Sequence, residues 1–527
     1  MKTVQRKRRR GGYLLRRFIN KWFVIVLFLL LQIAAFCYVI LSGSLVSVFV
    51  SASLYGISFF VALWVISRKG ESAYKLVWVF WILLFPIFGG AIYILLNGRF
   101  SKRSFVKRAR KSEEDVKLYL RQSALPTMQR EELAHAVQGM RGNRLTEIRY
   151  LDEYVRYPAF HHTAATFLPS GEETFHALCK ALEMAERYIF LEYFIIEEGI
   201  LWDSVLEILE RKVKEGVTVR VIYDDLGCFL HLPKRYDKIL KKKGIETAVF
   251  NPFISVLTIE QNNRDHRKIA VIDGKTAFTG GVNLADEYIN AVEKFGHWKD
   301  AAVMLEGGGA WSLTVMFLEM WKLCHRASEK ENVFSFLPER MPAIPEDGVI
   351  IPYADSPLDH ENVGEQVYLQ MIQNAKDYVY ITTPYLIIDD KILSALTLAA
   401  KSGVDVRIVT PKKWDKRVVH LVTRSYYGEL CAAGVKIYEY TPGFIHAKTV
   451  VSDDEIAVVG STNFDYRSFY LHFECGVFLC GSRSVGAVKE NFLSVLERSE
   501  KVAPKAEKEK FFVRLRNACF RLLAPWL

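Results

Sequence analysis

A chain of 527 residues, half of them hydrophobic and 24 % charged, is long enough for two or three domains with full cores, which excludes a disordered polymer and a disulfide-stapled miniature. The formal charge of +11 would suggest a nucleic-acid partner if it were evenly spread, but residues 1–111 carry 19 lysines and arginines against one acid, Glu71. The remainder holds 51 bases against 58 acids, a net of −7, so the globular part has no broad phosphate-backbone footprint and no nucleic-acid partner is expected.

Residues 1–21 form a basic segment. A membrane region over 22–98 follows, with uncharged apolar runs at about 22–42, 45–66 and 76–96, each near the ~20 residues that cross a bilayer. Trp64, Trp78, Trp81 and Tyr93 suit interfacial positions. The first run is too long for a signal peptide and no small-residue cleavage pattern follows it, so α-helical spans and a multi-pass place in the cell membrane are expected. Bases before the first run, and Arg68, Lys69 and Lys75, favour the cytoplasm, and three crossings then put the rest of the chain outside. The cluster from Arg99 to Lys111 also favours the cytoplasm, and reaches it if Pro86, Gly89 and Gly90 bend the third run back. The side of the globular region stays open between these topologies. In both, basic clusters beside the membrane attract anionic lipid at roughly 1 kcal/mol per base.

A basic, helical connector spans 99–155, with its helix at 112–140 broken near Pro126. Beyond it the sequence repeats. Gly216-Val-Thr-Val-Arg-Val-Ile answers to Gly403-Val-Asp-Val-Arg-Ile-Val, and the run from Ala185 to the run from Ala375. Each copy alternates helix patterns with β-branched runs, the mark of a sheet covered by helices. The fold class is therefore α/β, with one domain at 156–327, a linker at 328–350 containing Pro338, Pro342 and Pro345, a second domain at 351–500, and an amphipathic tail at 501–527. On that tail Phe511, Leu515, Ala518, Cys519 and Leu522 share a helical face, to lie in a headgroup layer or on the second domain. The eight cysteines show no C-x-x-C pair, so buried thiols are expected and no zinc.

The chemistry sits at matching points of the copies. One reads His266-Arg-Lys268 with Asp273 and Asn283; the other reads His446-Ala-Lys448 with Asp453 and Asn463. Both are H-x-K-x4-D with an Asn 17 residues after the His, and two such motifs in register with an independent repeat are not chance. On a strand His and Lys two apart share a face, so two imidazoles and two ammonium groups meet across one cleft if the halves pack about a pseudo-twofold axis. Asn283 and Asn463 add amide donors for a phosphate. One imidazole attacks phosphorus while the other protonates the leaving alkoxide, with no metal and no cofactor. Each His needs an acceptor on its other ring nitrogen, and the repeat offers Asp300, 34 residues after His266, and Glu474, 28 after His446. Asp273 and Asp453, the remaining members of the candidate catalytic set, fall where a strand meets a turn and hold the loop. His161, His162, His297, His325, His360, His420 and His472 lack the pattern and read as structural. The acid pairs Asp224-Asp225 and Asp389-Asp390 follow strands and read as helix caps in preference to a magnesium site.

These motifs, with Leu83-Leu-Phe-Pro-Ile-Phe-Gly89, Pro169-Ser-Gly-Glu172, Leu191-Glu-Tyr-Phe194, Thr382-Thr-Pro-Tyr385 and Asn463-Phe-Asp-Tyr-Arg-Ser468, resemble the phospholipase D superfamily and, within it, the bacterial cardiolipin synthases. The resemblance implies two phospholipase D-type α/β sandwich domains and a phosphatidyltransferase. It would make cardiolipin and glycerol from two phosphatidylglycerol molecules through a phosphatidyl-histidine intermediate, with His266 as nucleophile and His446 as proton donor. A phospholipase D-type hydrolase and a catalytically silent scaffold that gathers anionic lipid are the competing functions. The family shows two N-terminal spans where this chain has three apolar runs.

Overall fold

A computed structural model describes residues 26–39, 41–42, 44–97, 103–252, 262–325, 331–345, 347–359, 361–503 and 511–526. The basic segment 1–21, Arg99, Lys102, residues 328–330, His360 and Lys508 lie outside the described residues. Two compact units result, one holding the apolar helices and the other the sheets.

In the first unit, Leu45–Ser67 is the one helix among the described residues long and apolar enough to cross a membrane. Val26–Val39 and Ser72–Leu84 are apolar but shorter. The third run is not one helix: Ser72–Leu84 ends at Phe85, the chain turns through Pro86, and Phe88–Asn97 begins anew. Proline lacks the N–H that a continuing helix needs. Gly89 then lets the second helix close on the first, since a Cβ there would lie 2.3 Å from the Trp81 carbonyl oxygen. Tyr93 meets Trp78 at 5.2 Å and Trp64 at 5.7 Å between ring centroids. The backbone groups freed at the break are satisfied by side chains of the neighbouring helices. Gln32 accepts from the Ile87 and Phe88 N–H groups at 2.8 and 3.3 Å, and the Ser58 hydroxyl donates to the Pro86 carbonyl at 3.0 Å. Of the two expected forms of the run at 76–96, a span and a segment bent back at Pro86, Gly89 and Gly90, the helices Ser72–Leu84 and Phe88–Asn97 take the second.

In the second unit, helices Arg103–Gln122 and Arg130–Ala136 flank Pro126. The strands that follow are β1 (Thr163–Leu168), β2 (Tyr188–Tyr193), β3 (Thr218–Asp224), β4 (Glu246–Phe250), β5 (Arg264–Asp265), β6 (Lys268–Ile272), β7 (Thr276–Gly280), β8 (His297–Lys299) and β9 (Ala302–Gly307). The second copy supplies β10 (Val349–Asp355), β11 (Tyr378–Thr382), β12 (Leu386–Ile387), β13 (Asp405–Pro411), β14 (Lys436–Tyr440), β15 (Gly443–Ile445), β16 (Thr449–Ser452), β17 (Ile456–Gly460), β18 (Phe464–Asp465), β19 (His472–Cys480) and β20 (Ser499–Lys501). One sheet runs β1-β9-β7-β6-β2-β3-β4; the other runs β10-β19-β17-β16-β11-β13-β14, the same order, and adds β20. That identity of order establishes the duplication in three dimensions.

The sheets meet where β7 and β9 face β17, and the helix Gly309–Cys324, apolar almost all round, packs on β2, β6 and β9 of one sheet and on β10 of the other. Helix Arg483–Glu497 likewise touches β1 and the strands β11, β16 and β17. The terminal helix Phe511–Leu523 rests on Arg417–Ala432, where Arg521 reaches Glu429 at 2.9 Å and the Ser425 carbonyl at 2.8 Å, while Phe511, Phe512 and Leu515 stay exposed. All eight cysteines are free; Cys228, Cys475 and Cys480 are buried, but Cys37 and Cys519 are exposed, so the expectation of buried thiols holds only in part.

Candidate active site

Two short parallel pairings stitch the halves together. β5 pairs with the start of β19, and the His266 N–H donates to the Phe473 carbonyl at 3.0 Å. β8 pairs with β15, and the His446 N–H donates to the Lys299 carbonyl at 2.7 Å. Each candidate histidine therefore starts at a strand of its own half that is bonded to the other half. The consequence is an exchange of acids. His266 Nδ1 lies 3.0 Å from both oxygens of Glu474, and His446 Nδ1 lies 2.7 Å from Asp300 Oδ2. Pairing by chain distance puts Asp300 with His266; the structure reverses it, because β19 delivers Glu474 to the first motif and the segment after β8 delivers Asp300 to the second.

Both imidazoles are 7 % exposed, and both carboxylates are fully buried. Burial holds His266 well below the ordinary histidine range, with Lys268, Lys448 and His446 adding to the effect, so its ring is neutral. Burial and Lys448 bring His446 down to about 4. Burial alone would raise Asp300, but His446 and Lys448 outweigh it and hold the carboxyl below its usual range. With a carboxylate accepting from Nδ1–H, the lone pair of each ring sits on Nε2. Lys268 and Lys448 are buried and donate to the carbonyls of His266 and His446 respectively. Burial lowers Lys268 to about 8 and Lys448 to about 7. His266, Lys268, His446 and Lys448 thus form one cluster of mutually interacting groups.

The other candidates divide. Asn283 is buried in the first half, its Oδ1 accepting from the Ile195 N–H at 3.0 Å and its amide donating to Tyr288 at 2.6 Å. Asn463 is equally buried, and its Oδ1 has no hydrogen-bond partner, which leaves a polar end for a ligand. Asp273 and Asp453 do not join the histidines. Asp273, at φ 54°, accepts from the N–H groups of Glu186, Arg187 and Tyr188 at 2.8 Å each. Asp453, at φ 57°, accepts from Lys376, Asp377 and Tyr378 at 2.9 Å each and from Arg144 at 2.6 Å. Within the candidate set they hold the loop, as expected: they clamp the turn after the motif strand onto the start of the neighbouring one. Asp224 accepts from the Leu226 and Gly227 N–H groups, and Asp389 caps a helix through Ile392, all at 2.9 Å.

Several residues escaped sequence reasoning. His472, read as structural, has its ring 5.4 Å from that of His266 and its Nδ1 3.6 Å from Glu474 Oε1. At the equivalent place Trp298 lies 5.3 Å from His446. Both stand two residues before the exchanged acid, a signal visible only once the acids are known. Ser461 donates to Glu474 and accepts from the Cys475 N–H at 3.0 Å. Its counterpart Gly281 is bare because a Cβ there would lie 2.0 Å from Asp300 Oδ1. His266, His472 and Glu474 bring ligand atoms within 4.8 Å of one another, the one donor set among the described residues that suits a transition metal; Glu474 is already engaged by His266 and Ser461.

A family model described as cardiolipin synthase, PLD-like domain matches residues 178–296 and 368–496, once over each motif. A cardiolipin synthase of Halalkalibacterium halodurans is 34 % identical over 471 residues, 89 % of this chain and 92 % of that protein. The chain belongs to the cardiolipin synthase family. A cardiolipin synthase of Alkalihalophilus pseudofirmus is 35 % identical over 89 % of the chain, and an uncharacterised protein of Streptococcus mutans is 42 % identical over 88 %. Among solved structures, a phosphatidylserine synthase of Haemophilus influenzae shares the fold at a TM-score of 0.54 and 13 % identity, covering 80 % of this chain and 100 % of its own. As in the rest of the cardiolipin synthase family, the enzyme class is phosphatidyltransferase of the phospholipase D type.

Proposed function

We propose that the protein joins two phosphatidylglycerol molecules into cardiolipin and glycerol through a phosphatidyl-histidine. One observation carries the reading: two buried imidazoles, each held at Nδ1 by a carboxylate from the opposite half and each accompanied by a lysine. The neutral His266 attacks phosphorus through Nε2, the bond from phosphorus to glycerol oxygen breaks, and His446 passes its Nε2 proton to the departing oxygen. A hydroxyl of the second phosphatidylglycerol then gives its proton to His446 and attacks phosphorus, and the N–P bond breaks. Glu474 and Asp300 hold the rings and stabilise the positive charge each acquires. Lys268 and Lys448, with Nδ2–H groups of Asn283 and Asn463, donate to the non-bridging phosphate oxygens. His446 must be protonated to act first as an acid. Burial, with the charge of Lys448 and Lys268, depresses it, and the phosphodiester anion offsets the lysines' share, which favours protonation on substrate binding.

One phosphodiester is exchanged for another, so the reaction needs no nucleotide. The helix Leu45–Ser67 supports a membrane location, and Val26–Val39 with the hairpin from Ser72 to Asn97 supports further embedded segments, hence the multi-pass reading. Phosphatidylglycerol and other anionic lipids are the proposed partners. The deciding experiment incubates the purified full-length protein with phosphatidylglycerol and weighs the products. Cardiolipin and glycerol are expected; phosphatidic acid would make it a hydrolase, and unchanged lipid a scaffold.

A further inference from the structure

Two loops stand at equivalent places in the repeat, directly after β3 and after β13. The first exposes Leu226 and Leu230, the latter 87 % exposed, and ends in Lys234 and Arg235. The second exposes Trp414, at 52 %, among Lys412, Lys413 and Lys416, and runs into the helix Arg417–Ala432, whose first turn exposes Val418. Large apolar side chains standing open to water in the same position of both halves do not serve either core. The second loop and the first residue of the helix after it carry four bases against one acid, Asp415, on a globular region whose net charge is −7. An apolar tip ringed by bases on an otherwise acidic surface is complementary to an anionic interface.

Both loops are also fastened to the histidines. β6 runs antiparallel to β2, with Lys268 beside Tyr193, so the motif lies at the end of the sheet where β2 and β3 finish. Gly227 packs against the Phe194 carbonyl, where a Cβ would come within 2.1 Å, and the Phe194 ring is 5.1 Å from that of His266. In the second half Asp415 accepts from the Tyr385 hydroxyl, and Lys416 lies 5.3 Å from the centre of the Tyr385 ring. Tyr385 is 6.4 Å from Phe444, which is 6.2 Å from His446. Lys416 is close enough to His266 to depress its basicity.

We propose that these two loops are a docking rim by which the catalytic cleft settles on the surface of a bilayer containing anionic phospholipid, with Leu226 and Leu230 on one side and Trp414 and Val418 on the other entering the acyl boundary. The inference rests on the proposed lipid substrate. Its geometry sets the cleft at the depth of lipid phosphates, so that a phosphodiester reaches the histidines without leaving the interface.

The test uses the full-length protein in vesicles of phosphatidylglycerol with phosphatidylcholine. With the exposed Cys37 and Cys519 replaced by serine, a fluorescent probe is attached in turn to Leu230→Cys, Trp414→Cys and Met184→Cys, the last an exposed site just before β2 and so at the opposite end of the sheet. Lipid brominated near the glycerol end of its acyl chains should quench the probes at 230 and 414 at least threefold more than the probe at 184. In parallel, the double variant Leu230→Ser, Trp414→Ser should make cardiolipin from detergent-dispersed phosphatidylglycerol within about twofold of the parent, yet lose ten-fold or more on vesicles. Equal quenching at all three sites overturns the proposal, as does an equal loss in detergent and vesicles. Loss of self-association in the double variant without any quenching difference would make the rim a contact between copies and overturns it too. If the parent forms no cardiolipin in either medium, the functional reading fails while the quenching still judges the rim.

Discussion

The two halves share a strand order but surround their histidines differently. His446 faces aromatic rings, with Trp298 at 5.3 Å and Tyr288 at 5.5 Å, and its acid is the short Asp300 beside the bare Gly281. His266 faces Phe194 at 5.1 Å and a second imidazole, His472, and its acid is the longer Glu474, steadied by Ser461. Behind His266 the first half also buries Glu192, Asp265, Arg267 and Glu319, where the second half has Thr382, Ile445 and Ala447 at the positions equivalent to the first three. Burial, reinforced by Asp265, pushes Glu192 far above the carboxylate range, so that it sits there protonated. Arg267 lies 3.5 Å from Glu319 and donates to the Glu474 carbonyl at 3.3 Å, tying this cluster to the strand that carries the acid of His266. Both copies keep the backbone handover that crosses the acids, while the surroundings of the two imidazoles differ, a difference that suits the proposed division between nucleophile and proton donor.

The largest expected effect breaks that division directly. His266→Ala and His446→Ala should each lower turnover of phosphatidylglycerol by ~10² to 10⁴ or more. With a p-nitrophenyl phosphodiester, whose leaving group needs no proton, His446→Ala should release a burst of about one p-nitrophenol per enzyme near the parental rate and then stall, because His446 is also the base of the second step, and His266→Ala should give no burst. A burst from His266→Ala instead would exchange the roles, and a burst from neither would end the division.

The crossing of acids is tested on the same two substrates. Asp300→Asn should follow His446, costing about 10²-fold with phosphatidylglycerol and much less in the burst from the activated substrate, whereas Glu474→Gln should cost both alike. A pattern in which Asp300→Asn behaves like a lesion of His266 would restore the pairing by chain distance.

A smaller effect comes from the lysines. Lys448 at about 7 and Lys268 at about 8 lose their charge as the pH rises through those values, so kcat/KM should fall on the alkaline side between about pH 7 and 8. In kcat the fall should move to higher pH, because bound phosphate favours the ammonium form. Lys448→Arg, if active, should lose the lower of the two steps, as full pH profiles would show.

The smallest effect on turnover belongs to the turn clamps. Asp273→Asn and Asp453→Asn each remove charge-assisted bonds to three backbone N–H groups, costing about 2 kcal/mol in denaturant unfolding. Turnover per folded molecule and its pH profile should stay unchanged. The Asp453 variant also deprives the buried Arg144 of a partner, so it should be the less stable of the two.

The strands, the duplication and the His-Lys pairs were legible in the sequence because each is local: a period of two places His and Lys on one face wherever the segment lies, and β-branched runs announce themselves. Asn283 and Asn463 were found by the same register, but what each does with its amide depends on Ile195, Tyr288 and the empty partner position at Asn463. The break at Pro86 was written in the chain as well; that Gln32 and Ser58 would satisfy it was not, since they approach from other helices. His472 went unrecognised because a lone histidine carries no pattern.

What the sequence by itself determined, then, is the inventory: two copies, two imidazoles and two lysines at matching offsets, and two acids, Asp300 and Glu474, 34 and 28 residues after the first and the second histidine. Only the tertiary structure decided which acid serves which imidazole. That choice is made by β5 on β19 and β8 on β15, pairings between residues far apart in the chain, and a strand's own residues specify that it will pair but not with which distant edge.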